Sequence, residues 1–261
     1  MMRREAGAFG SGASIGLLGG LIGLGGAEFR LPLLIGAFGF GALDAVILNK
    51  AMSLVVVTTA LPFRAATVPF SMVADHWVII VNLLAGSLAG AWIGAGWATR
   101  MKSATLYRVI ALLLLMIALV LLAGHDPTST GHPMLSGNAQ VAAGVFAGFC
   151  IGVVASLLGV AGGELLIPTL IILFGADIKL AGSLSLAVSL PTMIMGFTRY
   201  SRDSAFTVIG KNKRFIAVMA FGSVLGTFLG GRLLGFVPTP ILLPLLALIL
   251  LISAVKVWRH A

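Results

Sequence analysis

"GLGGAEFRLP" spans Gly23–Pro32 and "GVAGGELLIP" spans Gly159–Pro168, and both stretches lie in some of the most apolar sequence of the chain. Each contains glycines, one glutamate and one proline at places where a continuous membrane helix would carry leucine or a similar residue. Glycine adopts backbone conformations that other residues avoid, and proline lacks the N–H group that a helix interior needs. The two stretches therefore predict a broken or re-entrant helix near the start of each half of the chain.

The composition is that of a membrane protein. Of the 261 residues, 59% are hydrophobic and only 10% are charged, and the mean hydropathy is +1.11. A soluble domain of this length cannot hide so much apolar surface, so we expect lipid to cover much of it. The net charge of +9 comes from basic residues that cluster in a few loops and at the ends. This distribution is typical of membrane topology and not of a nucleic-acid-binding surface.

Apolar runs separated by charged, proline-containing or polar segments predict an all-α polytopic membrane protein with about eight to ten membrane segments. A helix needs about 20 residues to cross about 30 Å of hydrocarbon, so the runs at 28–40 and 164–175 are too short to cross alone. The runs are 6–22, 28–40, 45–61, 77–97, 106–123, 139–158, 164–175, 180–197, 214–234 and 240–257.

An internal duplication relates the two halves at an offset of 136 residues. One aligned block could arise by chance in so biased a composition, but three blocks in one register predict a duplication. The blocks contain Gly26 with Gly162, Glu28 with Glu164 and Pro32 with Pro168; Ser53 with Ser189 and Leu54 with Leu190; and Gly86 with Gly222, Gly90 with Gly226 and Gly94 with Gly230. We therefore divide the chain into an N-terminal transmembrane repeat (1–123), an extracytoplasmic linker (124–138) and a C-terminal transmembrane repeat (139–261).

Loop charges predict that the two halves have opposite orientations in the bilayer. Segment 198–212 is strongly basic, whereas its equivalent 62–76 carries only Arg64 as a base. Conversely, segment 98–105 contains two basic residues and its equivalent 234–241 contains none. Because cytoplasmic loops are enriched in Lys and Arg, equivalent loops with opposite charge bias belong on opposite sides. With an odd number of crossings in each half, this predicts two inverted-topology repeats with both termini in the cytoplasm.

Glu28 and Glu164 are the first candidates for a functional role. A carboxylate at membrane depth costs at least about 2.5–3.5 kcal/mol, which is tolerated when the group is protonated, paired or facing a polar cavity. The helix after each break would direct its N-terminal amides and the positive end of its dipole at such a cavity. Two converging breaks predict an anion site near the midplane; alternatively, the glutamates only cap the freed amides. The glycines that favour the unwound turns are Gly25, Gly26, Gly162 and Gly163.

Basic residues and a polar stripe complete the candidate substrate site. Arg30 and Lys50 lie in apolar runs of the first half only, since their equivalents are Leu166 and Leu186. Either base could neutralise a glutamate, bind an anionic substrate or extend to a membrane interface. Arg199 either steers an anion or lies at an interface. Small polar residues, for which ligand binding and helix–helix hydrogen bonding are both open, recur in the third run of each half: Asn49, Ser53, Ser185 and Ser189.

The sequence offers no catalytic or cofactor-binding constellation. It contains no nucleophile–base set, no phosphate-binding lysine loop and no cofactor fingerprint. The four histidines lack the spacing of a metal site. We therefore predict that the protein is not an enzyme and has neither a metal site nor a cofactor.

At these residues the chain resembles the TauE/SafE sulfite exporter family, also called the four-toluene-sulfonate uptake permease family. The resemblance covers essentially the whole chain and implies movement of sulfite, sulfonates such as sulfoacetate, thiosulfate or other small anions. Glu28, Glu164, Arg30 and Lys50 depart from the pattern of many relatives, and fold similarity does not fix the substrate. The stretches that carry the resemblance are "GLIGLGGAEFRLPLLIGAFGFG" (20–41), "SLLGVAGGELLIPTLIILFGAD" (156–177), "ILNKAMSLVVV" (47–57) and "GSLSLAVSLPT" (182–192).

We expect a secondary permease or exporter in the bacterial inner membrane that carries a small anion, above all sulfite, an organosulfonate or another sulfur oxyanion. A glutamate could carry a coupling proton. The expected partners are the anion and membrane lipid; nucleic acid is not expected, and a homodimer is compatible with the sequence. The alternatives are a permease for a small carboxylate or a metal cation, a membrane-embedded enzyme, and a non-transporting subunit of a complex.

Overall fold

The structure, a computed structural model, describes residues 2–22, 26–65, 68–122, 133–233 and 239–260. This part of the chain is helical and contains no strand. Gly25 and most of the predicted linker, residues 124–132, lie outside it. The helices are α1 (Met2–Ile22), α2 (Ala27–Gly36), α3 (Ala42–Ala65), α4 (Phe70–Asp75), α5 (Trp77–Arg100), α6 (Ser103–Leu122), α7 (Gly137–Leu158), α8 (Gly163–Phe174), α9 (Ile178–Tyr200), α10 (Thr207–Lys211), α11 (Lys213–Arg232) and α12 (Thr239–Trp258).

Within the described residues, six helices are long and apolar enough to cross a membrane. They are α3, α5, α6, α7, α9 and α11, whose apolar segments have 18–24 residues, close to the roughly 20 needed to span the hydrocarbon. Helices α2 and α8 have only 10 and 12 residues and cannot cross alone. The protein is an integral membrane protein, and the predicted all-α polytopic class is confirmed.

Each predicted break separates a long helix from a short one. After α7, Gly159 and Gly162 have φ angles of 66° and 84°, and α8 begins at Gly163. After α1, Gly26 has a φ angle of 69°, and α2 begins at Ala27. Glycine enters this left-handed region without the steric penalty of other residues, so the chain turns where leucines would continue the helix. The broken helix at the start of each half is confirmed.

The second break sends the chain back to the side from which α7 starts. The side-chain amide of Gln140, near the start of α7, donates to the carbonyl oxygen of Leu173 at the end of α8 at 2.8 Å. The backbone N–H of Met134 donates to the carbonyl oxygen of Ile172 at 3.1 Å. Helices α7 and α8 are therefore antiparallel and form a re-entrant hairpin whose tip is the turn 159–162.

The order of the helices repeats at the predicted offset. Shifting α6 by 136 residues gives the bounds of α12, Thr239–Trp258. In the same way α1, α2, α3 and α5 correspond to α7, α8, α9 and α11, with bounds that agree to within a few residues. The short helices α4 and α10, which the apolar runs did not predict, also occupy equivalent positions. The boundaries that we drew between the repeats at 123 and 139 stay predictions.

The two halves interlock through helix contacts that are lined by glycine. Helix α1 packs along α11, and α5 packs along α7. A Cβ atom on Gly16 would collide with the carbonyl oxygen of Ser223, and one on Gly90 would collide with that of Phe149. Small residues let membrane helices approach this closely, and the stabilisation then comes from van der Waals packing of the backbones. Each of the two contacts joins a helix of the first half to a helix of the second.

Contacts along the helices give their relative directions. Helices α5, α7 and α9 are parallel, because residue numbers rise together along each contact. Helix α3 runs the opposite way, since Val46 lies against Gly159, whereas Lys50 lies against the earlier Ala155. The equivalent helices α3 and α9 are thus antiparallel, which supports the inverted topology; the inversion itself stays a prediction. The parallel contacts are Gly86 with Val145 and Gly94 with Val153 for α5 and α7, and Ser87 with Thr192 and Gly96 with Arg199 for α5 and α9.

We expect the substitution Gly16→Ala to destabilise the fold, because the added methyl group must push α1 away from α11. Overpacking of this kind costs about 1–3 kcal/mol, which corresponds to a fall in Tm of roughly 2–12 °C in a thermal unfolding assay of the purified protein. Gly10→Ala on the same helix is the matched control, since its Cβ would meet no atom within 4 Å. Equal Tm values for the two variants would contradict the proposed helix contact.

Candidate functional site

The two glutamates of the helix breaks meet in the interior of the protein. Glu28 lies in the first turn of α2 and Glu164 in the first turn of α8. The two residues are only 1% and 5% exposed. Their carboxyl groups lie within hydrogen-bonding reach of each other. The structure thus brings together the two acidic residues that the duplication relates.

Most carboxyl oxygens of the pair have no hydrogen-bond donor among the described residues. Neither oxygen of Glu28, nor Oε2 of Glu164, accepts a hydrogen bond from a donor of the described residues. The ion pair found in this part of the chain joins Glu5 to Arg214 at 2.9 Å and leaves both buried glutamates unpaired. Two touching carboxyl groups form a hydrogen bond only when one of them carries a proton, since two carboxylates repel each other. The geometry of the pair therefore suits a shared proton.

The pair lies at the N-terminal ends of both short helices. In α8, the N–H groups of Leu165 and Leu166 donate to the carbonyl oxygen of Gly162 at 3.1 and 2.9 Å. The N–H groups before them, beginning with that of the buried Gly163, point along the helix axis toward the break without a helical acceptor. Helix α2 begins after Gly26 in the same way. The positive ends of two helix dipoles therefore converge on the carboxyl groups and favour negative charge there.

Simple capping does not account for Glu28. A capping carboxylate accepts hydrogen bonds from the freed N–H groups of its own helix. No N–H group of the described residues donates a hydrogen bond to either carboxyl oxygen of Glu28. The neighbour that this carboxyl group faces is the carboxyl group of Glu164.

Arg30 lies beside the pair with most of its donors unused. The residue is fully buried, and its Nη2 donates to the Ser53 hydroxyl oxygen at 3.4 Å. Its Nε and Nη1 atoms have no acceptor among the described residues. The positive charge of Arg30 acts on Glu28, yet the two side chains form no ion pair within 4.0 Å in the part of the chain described. A planar guanidinium with free N–H groups matches two oxygens of an oxyanion.

Asn49 joins the two breaks. Its side-chain amide donates to the carbonyl oxygen of Ala27 at the start of α2 and to that of Leu158 at the end of α7, both at 3.0 Å. Helix α2 belongs to the first half of the chain and α7 to the second, so the side-chain amide of Asn49 links the two halves. The residue is fully buried, and its Oδ1 atom has no donor among the described residues.

The serines of the polar stripe have different roles. Ser53 accepts the hydrogen bond from Arg30. Ser189 donates to the carbonyl oxygen of Ala161 in the second break at 2.8 Å. Ser185 donates to the carbonyl oxygen of Gly182 in its own helix at 2.9 Å. Ser53 and Ser189, which are equivalent positions, therefore belong to the site, whereas Ser185 makes a local helix contact.

Lys50 contacts the C-terminal end of α7. Its Nζ donates to the carbonyl oxygen of Ala155 at 3.2 Å. In the same turn, the Tyr200 hydroxyl donates to the carbonyl oxygen of Ser156 at 2.9 Å. Our sequence interpretation missed Tyr200 and Ser156. The available signal was weak: Ser156 comes three residues before Gly159, and no motif marks Tyr200.

Arg199 contacts an aromatic ring of α5. Its guanidinium lies over the ring of Trp92 at 5.7 Å, and that of Arg202 lies over the same ring at 4.8 Å. Gly25, the remaining predicted site residue, lies outside the described residues. The predicted residues that the structure gathers around the two breaks are Gly26, Glu28, Arg30, Asn49, Lys50, Ser53, Gly162, Gly163, Glu164 and Ser189.

The site is closed to solvent and lipid, since Glu28, Arg30, Asn49 and Lys50 are all at least 99% buried. Three clefts on the outside of the described helices are lined mostly by apolar side chains, and these four residues line none of the three. In the described ranges, no group of three or more His, Cys, Asp or Glu residues could hold a metal ion. The arrangement is suited to binding a charged ligand and a proton once the helices move.

Asn49→Ala should destabilise the protein much more than Ser185→Ala, the substitution at the equivalent position of the second half. Loss of the Asn49 amide leaves two buried carbonyl groups without this donor, each at a cost of about 1–3 kcal/mol. Ser185 bonds only to Gly182 within its own helix. Thermal unfolding of the purified variants measures the difference, and a similar Tm for both would show that Asn49 does not hold the breaks together.

Comparison with known protein families gives a match over nearly the whole chain. The family described as "Sulfite exporter TauE/SafE" matches residues 8–257. No curated protein and no solved structure matches the chain significantly. Proteins of this family are transporters, in agreement with the prediction that the chain is not an enzyme. The family match covers nearly the whole chain and agrees with its helical membrane architecture. The chain therefore belongs to the TauE/SafE sulfite exporter family.

Proposed function

We propose that the protein is a secondary transporter for a small sulfur-containing anion, either sulfite or an organosulfonate such as sulfoacetate. The observation that carries the proposal is the buried contact between the carboxyl groups of Glu28 and Glu164, with the guanidinium of Arg30 beside it. Family membership supports an anion of the sulfite class. The unused N–H groups of Arg30 are suitable donors for two oxygens of a sulfite or sulfonate group.

The charges of the central cluster favour binding of an anion together with a proton. When the carboxyl pair holds one proton, it keeps one negative charge, which the charge of Arg30 balances. A monoanion added to this neutral cluster would be an uncompensated buried charge, which is strongly unfavourable. A second proton on the pair removes its negative charge, and Arg30 can then pair with the anion. Anion and proton would therefore enter and leave the site together.

The helix breaks would supply the remaining interactions. The N-terminal ends of α2 and α8 place positive dipole ends at the site, an arrangement by which discontinuous helices of other transporters bind anionic groups. The hydroxyl groups of Ser53 and Ser189 lie at the two breaks and can exchange their present partners for the anion. A metal-cation permease is disfavoured because two buried cations, Arg30 and Lys50, would repel the substrate.

We also propose that the protein resides in a bacterial inner membrane with both termini in the cytoplasm. The basic segments at the start, at 100–108, at 199–214 and at the end support this orientation. Lipid is the expected partner of the large apolar side chains that point outward, such as Phe146 and Phe221, which are 69% and 60% exposed. Assembly as a homodimer stays a prediction.

Uptake of labelled sulfite into proteoliposomes should be driven by a proton gradient, and the substitutions Glu28→Gln and Glu164→Gln should each remove that dependence. Glutamine keeps the size of the side chain but cannot exchange a proton. We expect gradient-driven uptake to fall about tenfold or more, which is about 1.4 kcal/mol or more in the barrier. Glu5→Gln is the matched control, because Glu5 pairs with the exposed Arg214 away from the breaks.

Wild-type pH dependence in both glutamine variants would show that the carboxyl pair is not the proton carrier. The substrate class is tested separately, by competition of unlabelled sulfoacetate, thiosulfate, lactate and Ni²⁺ with labelled sulfite. Competition by the sulfur anions alone supports the proposal. Stronger competition by lactate would indicate a carboxylate permease, and competition by Ni²⁺ alone would indicate a cation permease.

Reporter fusions should place residues 124–138 outside the cytoplasm and the C-terminus inside it. Alkaline phosphatase, which folds only outside the cytoplasm, should be active when inserted in this segment, and a fluorescent protein should be fluorescent at the C-terminus. The opposite pattern of activities would reverse the proposed orientation.

A further inference from the structure

The C-terminal end of α7 is covered by side-chain donors from α3 and α9. A helix ends in carbonyl groups that have no helical donor and in the negative end of its dipole. Among the three donors, only Lys50 can bring a full positive charge to this end. The hydrogen bonds are Lys50 Nζ to the Ala155 oxygen at 3.2 Å, Tyr200 hydroxyl to the Ser156 oxygen at 2.9 Å and Asn49 Nδ2 to the Leu158 oxygen at 3.0 Å.

Lys50 has no acidic partner in the part of the chain described. It is fully buried and forms no ion pair there. The nearest buried acids of the site, Glu28 and Glu164, face each other instead. A buried ammonium group persists only when hydrogen bonds and opposite charge compensate the loss of water. The carbonyl end of α7 is the group that provides this compensation.

The ammonium group is packed close to an unused hydroxyl. A Cβ atom on Gly196 of α9 would lie 3.3 Å from Lys50 Nζ and 2.9 Å from Ser156 Oγ. Ser156 Oγ is buried and has no hydrogen-bond partner among the described residues. The ammonium group and the Ser156 hydroxyl therefore both pack against Gly196, and the ammonium group also donates to the Ala155 carbonyl oxygen. Oxygens at the C-terminal ends of broken helices are the ligands that small monovalent cations take in transporters.

The positions equivalent to this cluster, at the end of α1, carry different residues. A leucine replaces the lysine, a glycine replaces the serine, and an alanine replaces the glycine, so the duplication alone does not explain it. The equivalents of Lys50, Ser156 and Gly196 are Leu186, Gly20 and Ala60.

We propose that the end of α7 is a binding site for one small monovalent cation, and that the ammonium group of Lys50 occupies it as a cation fixed to the chain. The inference rests on the proposed function only in treating the protein as a transporter, in which the fixed ammonium takes the place of a dissolved ion such as sodium. The wild-type protein then needs no dissolved cation at this site. Removal of the Lys50 side chain opens the site to sodium or methylammonium.

Thermal unfolding of the full-length variant Lys50→Ala, purified without added anionic substrate, tests the proposal. The measurement compares equal concentrations of methylammonium chloride, sodium chloride and choline chloride, of which choline is too large for the site and has no N–H donor. We expect Lys50→Ala to have a lower Tm than wild type in choline and to regain about 2–4 °C or more in methylammonium or sodium. Wild type, and Lys50→Met, whose apolar chain fills the space, should show no such difference.

The same Tm for Lys50→Ala in all three salts would overturn the proposal, as would an equal gain by wild type. If Lys50→Ala is recovered folded only in methylammonium or sodium, the site is supported. If the neutral variant Lys50→Gln is as stable as wild type, a hydrogen bond suffices and the proposal fails. Because chloride is the same in every sample and no sulfur-containing anion is present, the outcome is independent of whether the protein carries sulfite.

Discussion

The contact between two buried carboxyl groups is the constraint on which the rest of the structure depends. Both groups cannot be ionised when they touch in a medium of low polarity, because repulsion and loss of hydration oppose it. The protein places them at two helix N-termini, where positive dipole ends favour the remaining negative charge. The number of protons on the pair then decides how much negative charge Arg30 must balance, and so whether an anion can be held there.

The two buried cations, Arg30 and Lys50, have different partners. The site therefore has two parts with different electrostatic environments. Arg30 lies at the start of α2, where the helix dipole disfavours a positive charge, so its compensation must come from the carboxyl pair or from a bound anion. Lys50 lies at the end of α7, where the dipole favours a positive charge. Ser53, which bonds to Arg30, is one helical turn from Lys50 on α3. The two environments are therefore adjacent but carry opposite electrostatic preferences.

Sequence patterns were sufficient to predict the long helices and the two breaks, but not the short helices α4 and α10 or the contacts between helices. The apolar runs match the long helices to within a few residues, and the glycines next to Glu28 and Glu164 marked both breaks, because length and backbone freedom are local properties. The partners of Arg30 and Lys50 depend on how α2, α3 and α7 pack, which no local pattern encodes. Arg199 illustrates the limit: its position after a long apolar run left anion steering and an interface role both open, and the contact of its guanidinium with Trp92 of α5 depends on helix packing.

The interlocking of the two halves restricts how the closed site can open. Helix α1 packs backbone to backbone on α11, and α5 packs in the same way on α7, so these contacts resist separation. Among the described residues, the groups that join the two breaks are fewer: the carboxyl contact, and the Asn49 bonds to Ala27 and Leu158. A movement that opens the site must break these bonds and can leave the glycine-lined contacts intact. If the pair shares a proton, as proposed, loss of that proton would leave two carboxylates that repel each other, so a change in protonation would act directly on this contact.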